Sequence, residues 1–208
     1  MSKLWKIILI ILVFLLLGLS LHYGIFEKIV ERTPLVKNIY QNSLLSVNTR
    51  RGIANIFLNG VDYGQTPQTI TNLSEGEYLV ELEKVSETTI YPKESFYIEL
   101  HRNTEAVIDV EIAPEGFKSG HILYYSPMPK ALSKDGALTL RSDIENYEVF
   151  IDNSKVDSEN ILSYQLDPNE YDIKVVAKGY ESLEFPIIIR EGYNLNVRVY
   201  LLPIPIAF

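Results

Sequence analysis

Residues 45–83 align with residues 138–176 without a gap when shifted by 93 positions. Leu45 meets Leu138, Phe57 meets Phe150, Leu73 meets Leu166, and Glu77-Tyr78 meets Glu170-Tyr171. A second block aligns at an offset of 89, where Phe96 meets Phe185, Ile98 meets Ile187, Val110 meets Val199 and Pro114 meets Pro203. The two offsets differ by an insertion in the first copy, near Lys84–Ser95. A chain that repeats itself in one order must build the same unit twice, and each unit must find cover for its own apolar positions.

The period within each copy is two. Tyr78, Val80 and Leu82 alternate with Glu77, Glu81 and Glu83, and Ala106, Ile108, Val110 and Ile112 alternate with Glu105, Asp109 and Glu111. In the second copy Tyr171, Ile173 and Val175 alternate with Glu170, Asp172 and Lys174. Leu195, Val197, Val199 and Leu201 alternate with Asn194, Asn196 and Arg198. Such alternation is that of strands with one buried and one solvated face. Asn59-Gly60 is a hairpin signal, because a type I′ turn needs positive φ at both central residues, and Asp152-Asn153 stands at the matching place. The expected fold is all-β, with two small tandem β-sandwich modules following an N-terminal transmembrane helix. Modules this small bury only about 60% of their unfolded surface, so the two are expected to pack together or dimerise.

The helix is read from Ile7 to Phe26, which holds no formally charged residue and follows Lys3 and Lys6. Twenty helical residues span about 30 Å, the thickness of a bilayer core. The alternative is a cleaved signal peptide, with an h-region at Ile7–Leu17 and Gly18 and Ser20 at the cleavage site. The apolar stretch running past that site favours an uncleaved anchor, and both readings carry the body across the membrane. Residues 1–44 hold five basic and two acidic side chains, whereas 45–208 hold 14 basic and 25 acidic. The short amino-terminal tail and the acidic body favour an inside amino terminus, although Lys28, Arg32 and Lys37 flank the far side. The expected organisation is a tail (1–6), a transmembrane helix (7–26), a juxtamembrane stalk (27–44), a first β-module (45–113), a linker (114–136), a second module (137–203) and a tail (204–208). The Leu123-Tyr124-Tyr125 piece of the linker is expected to add a strand to one module.

Within this frame the line Ile56-Phe57-Leu58-Asn59-Gly60, then Gly64-x-Thr66-Pro67, then Leu73-x-x-Gly76-Glu77-Tyr78 resembles the PEGA domain. The second copy resembles it through Val149-Phe150-Ile151-Asp152, Leu166, Glu170-Tyr171 and Lys178-Gly179-Tyr180. It departs by reading Asp157-Ser158-Glu159-Asn160 where the first has G-x-T-P, and the naming tetrapeptide is degenerate in both copies. The resemblance implies small β-modules of bacterial extracytoplasmic and surface proteins, often anchored by one membrane helix. It implies no enzymatic activity and carries over no catalytic residues.

The composition excludes several classes. There is no cysteine, so disulfides, thiolate zinc sites and Cys nucleophiles are ruled out. A net charge of −8 argues against nucleic acid as a partner. His22, His101 and His121 form no H-x-x-x-H or H-E-x-x-H pair, and no G-x-S-x-G elbow, EF-hand or Gly-rich phosphate loop is present. No catalytic, cofactor-binding or metal-ligating residue is therefore expected, and the acidic strand positions read as a solvated sheet face. Aromatics are the better clue to binding, since an exposed tyrosine can stack on a sugar or anchor a protein. Tyr124 and Tyr125 are the candidates, because neighbours on a strand face opposite sides and one of them can be exposed. The expected protein is non-enzymatic and membrane-anchored, and presents its modules to an envelope protein. The alternative is a cell-wall glycan-binding module, which calls for exposed tyrosines beside acidic or amide residues. A hydrolase would need a histidine and a carboxylate converging in a cleft.

Overall fold

A computed structural model describes residues 41–129, 134–156 and 161–205. The tail at 1–6, the helix at 7–26 and the stalk up to residue 40 lie outside the described residues. Residues 42–208 form one compact unit. It is all-β, and no helix of the described residues is long and apolar enough to cross a membrane.

The first half runs β1 (Gln41–Asn48), β2 (Ala54–Leu58), β3 (Val61–Gln65), β4 (Gln68–Ser74), β5 (Gly76–Lys84), β6 (Glu94–Leu100) and β7 (Glu105–Ile112). A 3-10 turn at Pro114–Gly116 leads into β8 (Lys118–Pro127). The second half runs β9 (Gly136–Ser142), β10 (Tyr147–Ile151), β11 (Ser154–Val156), β12 (Ile161–Leu166), β13 (Glu170–Ala177), β14 (Leu183–Ile188) and β15 (Tyr193–Tyr200).

The strands make three sheets. Two are four-stranded, with orders β3-β2-β5-β6 and β11-β10-β13-β14. The third is seven-stranded, with order β12-β9-β15-β8-β7-β1-β4. The halves follow the same plan. The first strand of each pairs in parallel with the last, β1 with β7 and β9 with β15. The extra residues of the first copy fall between β5 and β6, where residues 85–93 stand against 178–182 between β13 and β14.

Local chemistry repeats as well. Asn59 and Gly60 have φ of 50° and 79°, and Asp152 and Asn153 have 47° and 63°. The turn side chain reaches across its sheet in both halves: Leu79 N–H donates to Asn59 Oδ1 at 2.9 Å, and Asp172 N–H donates to Asp152 Oδ1 at 2.9 Å. Tyr78 donates its hydroxyl to the Ser74 carbonyl at 2.9 Å, and Tyr171 donates to the Asp167 carbonyl at 3.0 Å. The G-x-T-P turn is structural in the first half. Thr66 Oγ1 accepts from Ala54 N–H at 3.0 Å and lies 2.6 Å from Thr49 Oγ1, with a cis peptide following at Thr66-Pro67.

Two apolar cores result. One gathers Ile56, Leu82, Phe96, Leu100, Ile108 and Ile112, and the other gathers Leu138, Leu140, Ile161, Ile173, Phe185 and Val199. The stretch 114–136, read from the sequence as a linker, carries the strand that joins them. β8 pairs antiparallel with β7 on one side and with β15 on the other, so it serves both halves rather than one. Gly120 permits the close approach, because a Cβ there would run into the Asp109 carbonyl of β7.

Candidate functional site: a polar groove on the long sheet

β8 divides its side chains between the two cores. Ile122 belongs to the first core and Tyr124 packs against it, while Tyr125 belongs to the second and Leu123 packs against that one. The two four-stranded sheets therefore cover opposite faces of the long sheet. Each cover leaves a part of the face beyond β8 open.

This arrangement separates the two tyrosines picked from the sequence. Tyr125 is only 4% exposed. Its hydroxyl donates to the Ile188 carbonyl at 2.7 Å, and the Arg190 guanidinium sits 4.4 Å from its ring centroid. Burial raises its phenol above the ordinary value, against the pull of Arg190. Tyr125 is thus a core residue. Tyr124, on the other face, is half-buried and lines a groove of about 240 Å³.

The groove lies where the edge strand β6 meets the open face of β8, β15 and β9. Tyr97 of β6 stands at its rim, 71% exposed. Its base is polar. Ser163 N–H donates to Thr139 Oγ1 at 3.0 Å, and Thr139 donates to Asn194 Oδ1 at 3.1 Å. Asn194 Nδ2 donates to Asn196 Oδ1 at 3.1 Å, and Asn196 Nδ2 donates to Ser126 Oγ at 2.9 Å. A ladder of hydroxyls and amides so crosses from β12 to β8 with its orientations fixed. Beside it stand Arg141 and Arg198, partners in the parallel β9–β15 register and both exposed. Neither guanidinium is bridged to a carboxylate among the described residues.

The equivalent pair in the first half carries the opposite sign. Asn48 and Asp109 are partners in the β1–β7 register, and they align with Arg141 and Arg198 under the two offsets. Asp109 is bridged to Arg50 at 3.4 Å and accepts from Asn48 Nδ2 at 3.4 Å. Its neighbours on β7 are paired too, Glu105 with Arg190 at 2.9 Å and Glu111 with Lys84 at 2.6 Å. The sequence reading missed the arginines and the amide ladder. Their signal was available in the alignment, as polar positions whose charge changes between copies while the apolar positions stay apolar.

The histidines lie elsewhere. His101 Nε2 is 3.3 Å from Glu99 Oε1 at the end of β6. His121 is buried on β8, stacked on Phe185 with ring centroids 4.1 Å apart. Burial lowers its pKa from 6.5 to about 4, with Asp109 pulling the other way and Arg50 adding to the lowering. Neither lines the groove or a further cavity, of about 190 Å³, around Lys118, Asp143, Tyr180 and Tyr200. Among the described residues, no three His, Asp or Glu side chains gather as a metal would need.

Comparison with known families bears on the first half. Residues 42–114 match the family model of the PEGA domain. The PEGA match runs from β1 to the end of β7, and so takes in the whole of the first sandwich-like half except β8. The G-x-T-P turn and the Tyr78 hydroxyl bond lie within the matched residues. The groove falls on strands beyond the matched residues, apart from Tyr97 at its rim. No curated protein matches the chain.

Proposed function

We propose that this chain is a non-enzymatic, membrane-anchored extracytoplasmic protein that presents two PEGA-like β-modules to partners in the cell envelope. Residues 7–26 supply the anchor, and the second half is a diverged PEGA-like unit outside the family match. The observation that carries this reading is β8, which fuses the two halves into one sheet. Fusion holds their exposed faces in a fixed relation, as a binding platform requires, and the groove is smaller than the roughly 300–1,000 Å³ of typical small-molecule sites. Tethering raises the local concentration of the platform near the membrane. Protease treatment of intact cells tests it: residues 41–208 should be cut from outside while the chain stays in the membrane fraction. A chain protected in intact cells, or recovered in the soluble fraction, refutes the proposal.

A second reading, binding of cell-wall glycan, is favoured by the groove itself. Tyr97 and Tyr124 stand beside the Thr139-Asn194-Asn196-Ser126 ladder, the pairing of aromatic face and amide that a sugar needs. Co-sedimentation of the chain with purified cell-wall polymer, against a denatured-protein control, tests that reading.

A further inference from the structure

Two arginines side by side on neighbouring strands are not what a solvated sheet face calls for. Strands lie about 4.8 Å apart, and like charges on paired positions repel. Folding alone has a solution at the equivalent place in the same chain. There Asp109 is met by Asn48 and Arg50, so the charge is compensated within the sheet. Asp143 occupies the position that aligns with Arg50, yet it bridges neither Arg141 nor Arg198. Among the described residues the second half therefore keeps a positive pair that no carboxylate bridges, with the neutral Tyr200 phenol beside Arg198, in a chain of net charge −8. Planar guanidiniums bind acidic groups through paired, charge-assisted hydrogen bonds, and two together define where such a group sits. The remainder of the groove is made for something less charged. The amides and hydroxyls hold one another in place, Thr139 and Asn196 of that ladder line the groove, and Tyr97 and Tyr124 stand at its rim and wall.

We propose that the groove over β9, β15 and β8 binds an anionic sugar polymer. Arg141 and Arg198 hold the acidic group, the Asn194–Asn196 ladder meets hydroxyls, and Tyr97 and Tyr124 flank a ring. This rests on the glycan reading above and adds the ligand's charge and its contacts. The protein's own net negative charge repels a polyanion in general, so binding of one must come from this local pair.

The test is calorimetric titration of the full chain, in detergent micelles, with four polymers. Polygalacturonate and dextran sulfate distinguish a carboxylate from a sulfate ester as the acidic group; dextran is the neutral sugar and polyglutamate the sugar-free polyanion. Saturable binding to one of the acidic sugars, at least tenfold tighter than to dextran and to polyglutamate, is the expected result. The double variant Arg141→Asn, Arg198→Asp copies the first-half pair onto the second half, so its fold has a precedent in the molecule; it should weaken binding about a hundredfold, one factor of about ten per arginine. Arg198→Gln alone should weaken it about tenfold, and serves if the double variant fails to fold. Tyr97→Ala, at an exposed site, should weaken it several-fold. Equal binding to dextran and polygalacturonate, unchanged in Arg198→Gln, would leave the glycan reading standing and overturn the assignment of the arginines. Equal binding to polyglutamate overturns the role of the sugar. No binding to any of the four overturns both.

Discussion

Acidification should destabilise this protein through His121, and the size of the effect follows from its surroundings. The side chain is 6% exposed, stacked on Phe185, and its Nδ1 has no hydrogen-bond partner. Protonation in the fold would put a charge into that site, which is why burial takes the pKa from 6.5 down to about 4. In the unfolded chain the imidazole protonates at its ordinary value. Between pH 6.5 and about 4 the unfolded state therefore binds the extra proton, and stability rises with pH across that window. The full contribution is present above 6.5 and is lost as pH falls, reaching about 3 kcal/mol below both values at about 1.4 kcal/mol per unit. That is a large part of the ~5–15 kcal/mol of a typical domain. The perturbation that isolates it is His121→Phe, which keeps a ring against Phe185 and removes the titration. Urea unfolding of both proteins should be followed by far-UV circular dichroism, because the lone tryptophan, Trp5, lies outside the β-body. At neutral pH the variant should be as stable as the parent or more so, since a buried nitrogen without a partner is removed. On going to about pH 4 the parent should lose about 3 kcal/mol more than the variant, carboxylate effects being common to both. Equal acid losses in the two proteins would refute the argument.

Three further substitutions probe the devices that build the fold. Thr66→Val removes the oxygen that receives the Ala54 N–H and contacts Thr49, and should cost about 2 kcal/mol in a thermal or urea melt because a buried donor is left unpaired. Tyr78→Phe should cost about 1 kcal/mol through its half-buried bond to the Ser74 carbonyl. By the same measurement Tyr171→Phe should cost less than about 0.5 kcal/mol, because its bond to Asp167 lies in solvent. Gly120→Ala sets a Cβ against the Asp109 carbonyl at a residue with φ of 136°. It should prise β8 from β7 at a cost of about 3 kcal/mol, read as lower folded yield and an earlier urea midpoint.

The pairs that align across the repeat show which parts of this fold can be read from residues. Phe96 and Phe185 are both core residues on the fourth strand of a four-stranded sheet, and Asn59 and Asp152 both turn a hairpin and cap the strand across it. These are local or period-two features, so sequence carries them. The role of β8 was harder to see, because Lys118–Pro127 has no counterpart in the repeat and alternates between apolar residues of both faces. A strand covered on both sides lacks the polar face that marks a half-buried strand. The tyrosines were legible as a pair on opposite faces, but which face lay open depended on where the second sheet sat. The arginines were legible as charges that replace Asn48 and Asp109 across the repeat, but only the β9–β15 register sets them side by side.

The shared strand also ties the halves together energetically. Tyr125 and Leu123 are lost to the second core if β8 leaves, and Ile122 and Tyr124 to the first. Each four-stranded sheet closes on a face that β8 helps to make, so opening one half exposes apolar surface of the other. Two domains on a flexible linker would unfold separately, whereas these should unfold in one transition. The groove is built on the same seam, with Tyr124 on the shared strand, Tyr97 on the first half, and Thr139, Arg141, Asn196 and Arg198 on the second. An isolated copy of either half would lack part of its walls. A single cooperative melt of residues 41–208 is thus a condition of the site, and a truncation after Pro114 should abolish the groove along with the stability of the half that remains.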